Sequence, residues 1–136
     1  MSIENILGVA GSALDAQSER ISIIAQNLAN ADSIESPEGG PYQRRIPVFE
    51  STVVGDGTDQ ASGVRLASVL RDQSPPKQTY DPSNPFADAS GMVKEPTVNP
   101  VFEMVDLMEA SRSYQANLAV VETAKATAMR TIDILK

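Results

Sequence analysis

Apolar residues recur every seven positions near the start of the chain. Two adjacent rows carry this repeat: Leu7, Leu14, Ile21 and Leu28 form one, and Ile3, Ala10, Gln17 and Ile24 form the other. Paired apolar rows of this kind are typical of the seam of a helical coiled coil. Gly8 and Gly11 weaken the first turns, since glycine costs a helix about 1 kcal/mol relative to alanine. The pattern predicts an N-terminal helix with one apolar face.

The end of the chain has the same repeat. Its two rows are Met104, Ser111, Leu118, Lys125 and Ile132, followed by Leu107, Tyr114, Val121, Ala128 and Leu135. Asn99 can accept hydrogen bonds from the free amides of a helix that begins at Pro100. We therefore predict a long helix from Pro100 to near the C-terminus, packed antiparallel against the N-terminal helix.

Proline separates these two helices from the rest, because all nine prolines lie between residues 37 and 100 and proline disrupts a helix interior. The middle contains strand-like pieces at Tyr42–Val54 and Gly63–Leu70, which predict a small β-hairpin. After them we expect turns and extended chain. The predicted fold is mainly α with a small β-containing middle, divided into an N-terminal coiled-coil helix (1–33), a Pro/Gly-rich insert (34–98) and a C-terminal coiled-coil helix (99–136).

Composition excludes several classes of function. The net charge is −7, which disfavours general nucleic-acid binding. The chain contains neither histidine nor cysteine, which removes the usual catalytic triads and zinc ligand sets. No apolar run approaches the ~18 residues of a membrane span, and the first residues lack the pattern of a secretory signal. We predict a non-enzymatic protein without metal, cofactor, nucleic-acid partner or transmembrane segment.

The asparagines near the helices have two interpretations. Asn27, Asn30 and Asn99 lie near predicted helix ends, where asparagine commonly caps the backbone, and we favour that role over recognition. Asn117 lies inside the second helix beside the apolar row. A polar group there can set the register between packed helices.

Periodicity alone leaves the partner of the apolar rows open. An isolated two-helix hairpin would account for them, as would a soluble adaptor or chaperone-like module that binds a partner helix. Assembly is favoured because the rows are large relative to the middle and because aromatic residues make up only 4% of the chain, which leaves little material for a private core.

The sequence Asn27-Leu28-Ala29-Asn30, followed by Tyr42 and Arg44, resembles the N-terminal signature of flagellar rod and hook proteins. The intervening ESPEGGP is longer than in most of that family and is similar to its proximal rod members.

Further matches follow along the chain. They are a Pro-Pro pair, Tyr-Asp-Pro, Ala-Asp-Ala-x-Gly, Pro-x-Val-Asn before the last helix, and the axial signature Ser-Tyr-Gln-Ala-Asn that spans Tyr114 and Asn117. Distal rod and hook proteins are the alternative within the family, but they normally have a much larger middle.

The resemblance implies a structural subunit of the proximal rod in the flagellar basal body, which spans the periplasm. Subunits of this family leave the cell through the flagellar type III export apparatus and polymerise through their terminal helices around the export channel. Expected partners are further copies of the chain, other proximal rod proteins and the adaptor protein at the rod base. The expected assembly interface comprises Leu7, Leu14, Ile21, Ile24, Leu28, Met104, Leu107, Tyr114, Leu118, Val121, Ile132 and Leu135.

Early export substrates of this system also share a loose motif, a phenylalanine followed four residues later by an apolar residue, which is thought to engage the export gate. Phe49 and Val53 match it. A strand position that faces the small core would explain Phe49 equally well.

Overall fold

The computed structural model describes residues 2–37, 39–56 and 59–134. It has two long helices and two small antiparallel sheets, which confirms the predicted fold class. In chain order the elements are α1 (Ile3–Ala29), β1 (Arg45–Val54), β2 (Ala61–Arg71), β3 (Lys77–Tyr80), β4 (Met92–Glu95) and α2 (Pro100–Ile134).

The two helices run antiparallel. Ile3 at the start of α1 lies beside Ala124 and Thr127 of α2, whereas Asn27 at the end of α1 donates a hydrogen bond to Glu103 at the start of α2. α2 has 35 residues and α1 has 27. The last turns of α2 therefore continue beyond the level at which α1 begins.

Side-chain caps define the helix ends. Ser2 Oγ accepts a hydrogen bond from the Asn5 amide at 3.2 Å, and Asn99 Oδ1 accepts one from the Val101 amide at 3.0 Å. At the end of α1, the backbone amide and the side-chain amide of Asn30 both donate to the Gln26 carbonyl. The predicted helix-end roles of Asn30 and Asn99 are confirmed.

Two rows of α2 residues face α1, and one of them is shifted by one residue from the predicted row. The row that begins at Leu107 is half-buried against α1, but its companion row begins at Glu103 instead of Met104. Met104, Leu118 and Ile132 are 51%, 40% and 57% exposed. Their assignment to the intramolecular seam was wrong, because the true companion row consists of small or polar residues that a hydrophobicity pattern passes over: Glu103, Ala110, Asn117 and Ala124.

α1 packs on two sides, against α2 and against the hairpin formed by β1 and β2. Of its predicted seam residues, Ala10 and Ile24 are buried, and the row from Leu7 to Leu28 is half-buried. Ala16 and Ile23 are also buried, although they lie outside the predicted rows. Their spacing from Ser12 places them on the helix face that the hairpin covers.

Small residues let the hairpin approach α1 closely. Ser12 Oγ donates to the Val9 carbonyl at 2.8 Å and accepts from the Val64 amide of β2 at 3.1 Å. A Cβ atom at Gly63 would lie 2.6 Å from Ser12 Oγ, and a Cβ at Gly8 would overlap Val54 Cγ1. Gly8 is thus a contact residue between helix and hairpin as well as a weak helix former.

The segment after the hairpin forms a second sheet that the sequence pattern did not predict. β3 pairs with β4, and the connection uses turns in which an aspartate accepts hydrogen bonds from a serine two residues later. In the turn at Asp88, hydrogen bonds from the Ser90 hydroxyl and from backbone amides lower the pKa of the carboxyl. Gly91 has φ of +79° and lets Tyr80 approach the backbone. The expected turns are therefore present, and part of the expected extended chain pairs as β3 and β4.

Gly8→Ala tests the close approach of helix and hairpin. We expect it to lower the free energy of unfolding by about 1–3 kcal/mol, because the added methyl group overlaps Val54. Gly11→Ala is the matched control, since nothing lies within 4 Å of its Cβ position, and it should raise stability by up to about 1 kcal/mol. Urea denaturation followed by circular dichroism gives both values. Equal effects of the two substitutions would show that Gly8 matters only through helix propensity.

Candidate functional site at the helix junction

A buried polar cluster joins the end of α1, the start of β1 and the first turn of α2. Its centre is Asn27, which is 1% exposed. Asn27 Nδ2 donates to the Arg45 carbonyl at 2.9 Å and to Glu103 Oε2 at 3.1 Å. Its Oδ1 accepts from the Tyr42 hydroxyl at 2.9 Å and from the Arg45 amide at 2.8 Å. The side-chain amide thus uses both of its donors and both acceptor positions.

Glu103 supplies the charge of this cluster. It is also 1% exposed, and its Oε1 accepts a hydrogen bond from Arg44 Nε at 2.5 Å. Arg44 Nη2 lies 3.5 Å from Asp106 Oδ2, on the solvent side. Burying a carboxylate costs several kcal/mol unless it is paired and hydrogen-bonded, and Glu103 has both kinds of partner. We call Asn27, Tyr42, Arg44 and Glu103 the junction cluster.

The local sequence accounts for this convergence. Tyr42 and Arg44 are two residues apart in extended chain, so their side chains project to the same side, whereas Gln43 between them is exposed. The Tyr42 amide donates to the Ser33 carbonyl at 2.9 Å, which closes residues 33–42 into a loop. The two ends of the long insert therefore lie close together just after α1, and Tyr42 can still donate its hydrogen bond to Asn27.

The predicted motif residues have several different roles. Asn27, Tyr42 and Arg44 come together, so the helix-cap interpretation of Asn27 was wrong: its side chain turns inward, where α2 and β1 present donors and acceptors. Leu28 is half-buried and Ala29 is exposed. Tyr114 and Asn117 lie in the α1–α2 seam, both half-buried, and Asn117 donates to the Ser113 carbonyl at 3.0 Å.

Sequence reasoning missed Glu103. The available signal was an isolated acid within the otherwise apolar first turns of α2, Pro-Val-Phe-Glu-Met-Val. The heptad pattern places Met104 in the core row instead. An acidic residue within an apolar run of this kind is rarely buried unless a partner from another segment pairs with it.

The candidate export residues lie on β1. Phe49 is half-buried and lines a cavity of about 240 Å³ together with Ile24 and three members of the junction cluster, Asn27, Arg44 and Glu103. Val53 is 66% exposed. Leu135, the last predicted interface residue, lies outside the described residues.

Comparisons with known proteins agree with this arrangement. The profile described as "Flagella basal body rod protein" matches residues 7–33, and that described as "Flagellar basal body rod FlgEFG protein C-terminal" matches residues 89–134. The chain is 49% identical to the flagellar basal-body rod protein FlgC of Salmonella typhimurium and 47% identical to that of Escherichia coli, over 98% of each chain. The FlgC of Agrobacterium fabrum is 42% identical over 94% of this chain and 91% of its own.

Two terminal helices joined by the Asn-Tyr-Arg motif, with matches to both terminal profiles, define a structural subunit of the bacterial flagellar rod. Within that class the chain belongs to the FlgC family of basal-body rod proteins. Neither described helix combines the length and hydropathy needed to cross a bilayer. The described residues hold no cluster of three or more acidic side chains placed to bind a metal ion.

Asn27→Ala tests the junction cluster. It should lower the free energy of unfolding by about 2–4 kcal/mol, because it leaves the Arg45 backbone groups and one Glu103 oxygen without a buried partner. Asn30→Ala, in the same motif, removes two hydrogen bonds near the surface, one donated to the Gln26 carbonyl and one accepted from Ser33 Oγ, and should cost about 1 kcal/mol or less. Thermal and urea unfolding of both variants measure the difference. A cost at position 27 no greater than that at position 30 would contradict a central role for Asn27.

Proposed function

We propose that this chain is a subunit of the proximal rod, in which its paired helices join neighbouring subunits into a tube around the export channel. One observation carries this proposal: α2 is paired with α1 along a seam and still exposes large apolar side chains on its other faces. Val101, Phe102, Val105 and Met108 are each at least 50% exposed within its first turns. A helix that is apolar on all sides is normally buried.

The size of this exposed surface favours a permanent partner. Isolated apolar residues on a surface need no explanation, but contiguous patches usually mark interaction sites. Here the apolar residues recur from Val101 to Ile134, along the whole of α2. Neighbouring helices in a polymer would cover such a surface continuously.

The junction cluster supports the same role from inside the subunit. It connects the ends of both helices through hydrogen bonds and an ion pair, so one helix cannot slide along the other without exposing Asn27 and Glu103 unpaired. A fixed register keeps the outer faces of the pair in a constant arrangement. Repeated identical contacts between subunits require such constancy.

The proposed partners are further copies of the chain, other proximal rod proteins and the adaptor protein at the rod base. Delivery through the flagellar type III export apparatus is part of the proposal. The chain would pass unfolded, with Phe49 and Val53 as its short linear signal. In the folded subunit Phe49 is half-buried, so recognition of this signal would precede folding.

Leu118→Asp tests assembly through the helices. Leu118 is the better probe, because Tyr114 lies in the intramolecular seam, where its loss would also destabilise the subunit. Leu118 is 40% exposed, so the substitution should change folding stability by about 1 kcal/mol or less yet prevent incorporation into basal bodies, since a carboxylate would enter an apolar interface.

The matched control is Leu70→Asp, a leucine of β2 that is 54% exposed. Both variants are expressed in a strain without the native copy, and purified basal bodies are probed for the chain. Normal incorporation of the Leu118 variant, or equal loss of both, would refute assembly through the outer face of α2.

Phe49→Ala tests the export signal separately. We expect less of the chain in periplasmic fractions, because the linear signal loses its aromatic residue. Phe86→Ala makes the same change in an exposed loop residue and should leave secretion normal. Quantitative immunoblots of periplasm and cytoplasm compare the two, with cytoplasmic levels as a check on degradation. Unchanged secretion of the Phe49 variant would exclude this motif as the signal.

A further inference from the structure

The N-terminal end of α1 is attached to the turn between β1 and β2. Asn5 is 4% exposed, and its side-chain amide donates to the Asp59 carbonyl oxygen at 2.7 Å. The backbone amide of Ser2, the residue that caps α1, donates to Asp59 Oδ2 at 3.0 Å. An acidic side chain at this position also suits the positive end of the helix dipole. We call Ser2, Asn5 and Asp59 the terminal clip.

Gly55 lets the turn approach Asn5. Its φ is +98°, a backbone conformation that other residues rarely adopt. A Cβ atom there would lie 2.5 Å from Asn5 Oδ1 and 2.6 Å from the Asp59 carbonyl oxygen. Gly39 has a similar φ of +87°, but nothing lies within 4 Å of its Cβ position. The two glycines therefore share a backbone conformation and differ in the close contact with Asn5.

α2 provides a looser contact at this end of α1. Ile3 and Ile6 line an apolar cavity of about 430 Å³ together with Ala124 of α2, and Ile3 is 39% exposed. The hairpin, by contrast, packs directly on Gly8 and bonds to Ser12. The first turns of α1 are therefore attached mainly to the hairpin.

The length of β1 matches the length of α1. Asn27 binds the backbone of Arg45 at the start of β1, and Asn5 binds the turn that follows β1. The two asparagines are separated by about 33 Å along the helix, at about 1.5 Å per residue. Arg45 and Gly55 are separated by about the same distance along extended chain, at about 3.3 Å per residue. A buried asparagine can therefore attach each end of β1 to α1 at the same time.

We propose that the terminal clip is a conformational latch: when it opens, the first turns of α1 unfold as a unit, while the junction cluster holds the other end of α1 in place. Gly8 and Gly11 make these turns weak helix formers, so their helical state depends on attachment to the hairpin. Regions held by few contacts open locally in such cooperative units. The latch belongs to the folded subunit and does not depend on the proposed rod function.

Asn5→Ala separates attachment from helix propensity, because the two predict opposite results. Alanine is the better helix former, so a helix that depended on propensity alone would open less often. Loss of the bond to Asp59 raises local opening instead, and we expect amide hydrogen exchange of residues 6–12 to become about fivefold faster or more. Exchange of residues 17–28 should stay unchanged. Mass spectrometry of peptides from the full chain measures both regions.

Gly55→Ala tests the same contact from the hairpin side, without any change in the sequence of α1. It should accelerate exchange of residues 6–12 in the same way, because the added methyl group displaces Asn5. Gly39→Ala is the matched control. It imposes similar backbone strain without the contact, so it should leave exchange of residues 6–12 unchanged.

Three results would overturn the latch. Slower or unchanged exchange of residues 6–12 in Asn5→Ala would mean that α1 keeps its first turns without the hairpin. Equal acceleration throughout the chain would mean that these turns open only with the whole subunit. Equal acceleration of residues 6–12 by Gly55→Ala and Gly39→Ala would assign the effect to turn strain instead of the contact with Asn5.

Discussion

The structure depends on one buried carboxylate. Glu103 sits in the first turn of α2, almost fully shielded from water, where Arg44 pairs with its carboxylate and Asn27 donates a hydrogen bond to it. Those partners come from the other helix and from the chain leading into β1. Because an unpaired buried charge is far more costly than an exposed one, the cluster penalises any other register of the helix pair. Three segments distant in sequence are therefore fixed by a single electrostatic requirement.

The outer faces of α2 remain apolar, and the seam between α1 and α2 buries few of its large side chains. One of the two rows by which α2 faces α1 contains only small or polar residues, namely Glu103, Ala110, Asn117 and Ala124, and the larger residues of the other row, such as Leu107 and Tyr114, are only half-buried. Other large apolar residues of α2 are directed outward, on both sides of the seam. Contiguous apolar side chains of this size are usually buried unless they form an interaction site. The subunit thus has a modest core of its own and exposes bulky apolar residues of α2, as the proposed assembly of this rod-family chain requires.

The hairpin formed by β1 and β2 covers the side of α1 that α2 leaves open. It lies along α1, on a face made of glycine, serine and alanine, so α1 is held between α2 and the hairpin while α2 remains open. This asymmetry gives the two helices different roles. α1 is the central element of the subunit, whereas α2 contacts only α1 among the described helices and strands.

The sequence by itself determined the helices, their antiparallel pairing, the hairpin and the family, because heptad spacing, proline placement and capping residues act locally and the motifs are contiguous. It did not determine the second sheet, the role of Gly8 or the row of α2 that faces α1. By hydrophobicity alone, Met104 is a better candidate for the core than Glu103. Only the tertiary structure brings Arg44 and Asn27 to Glu103, and these partners make burial of its carboxylate favourable. Likewise, Asn27 resembled a helix cap until Tyr42 and Arg45 were brought to it across the loop. Polar residues become core residues through contacts between distant segments, which periodicity along the chain does not record.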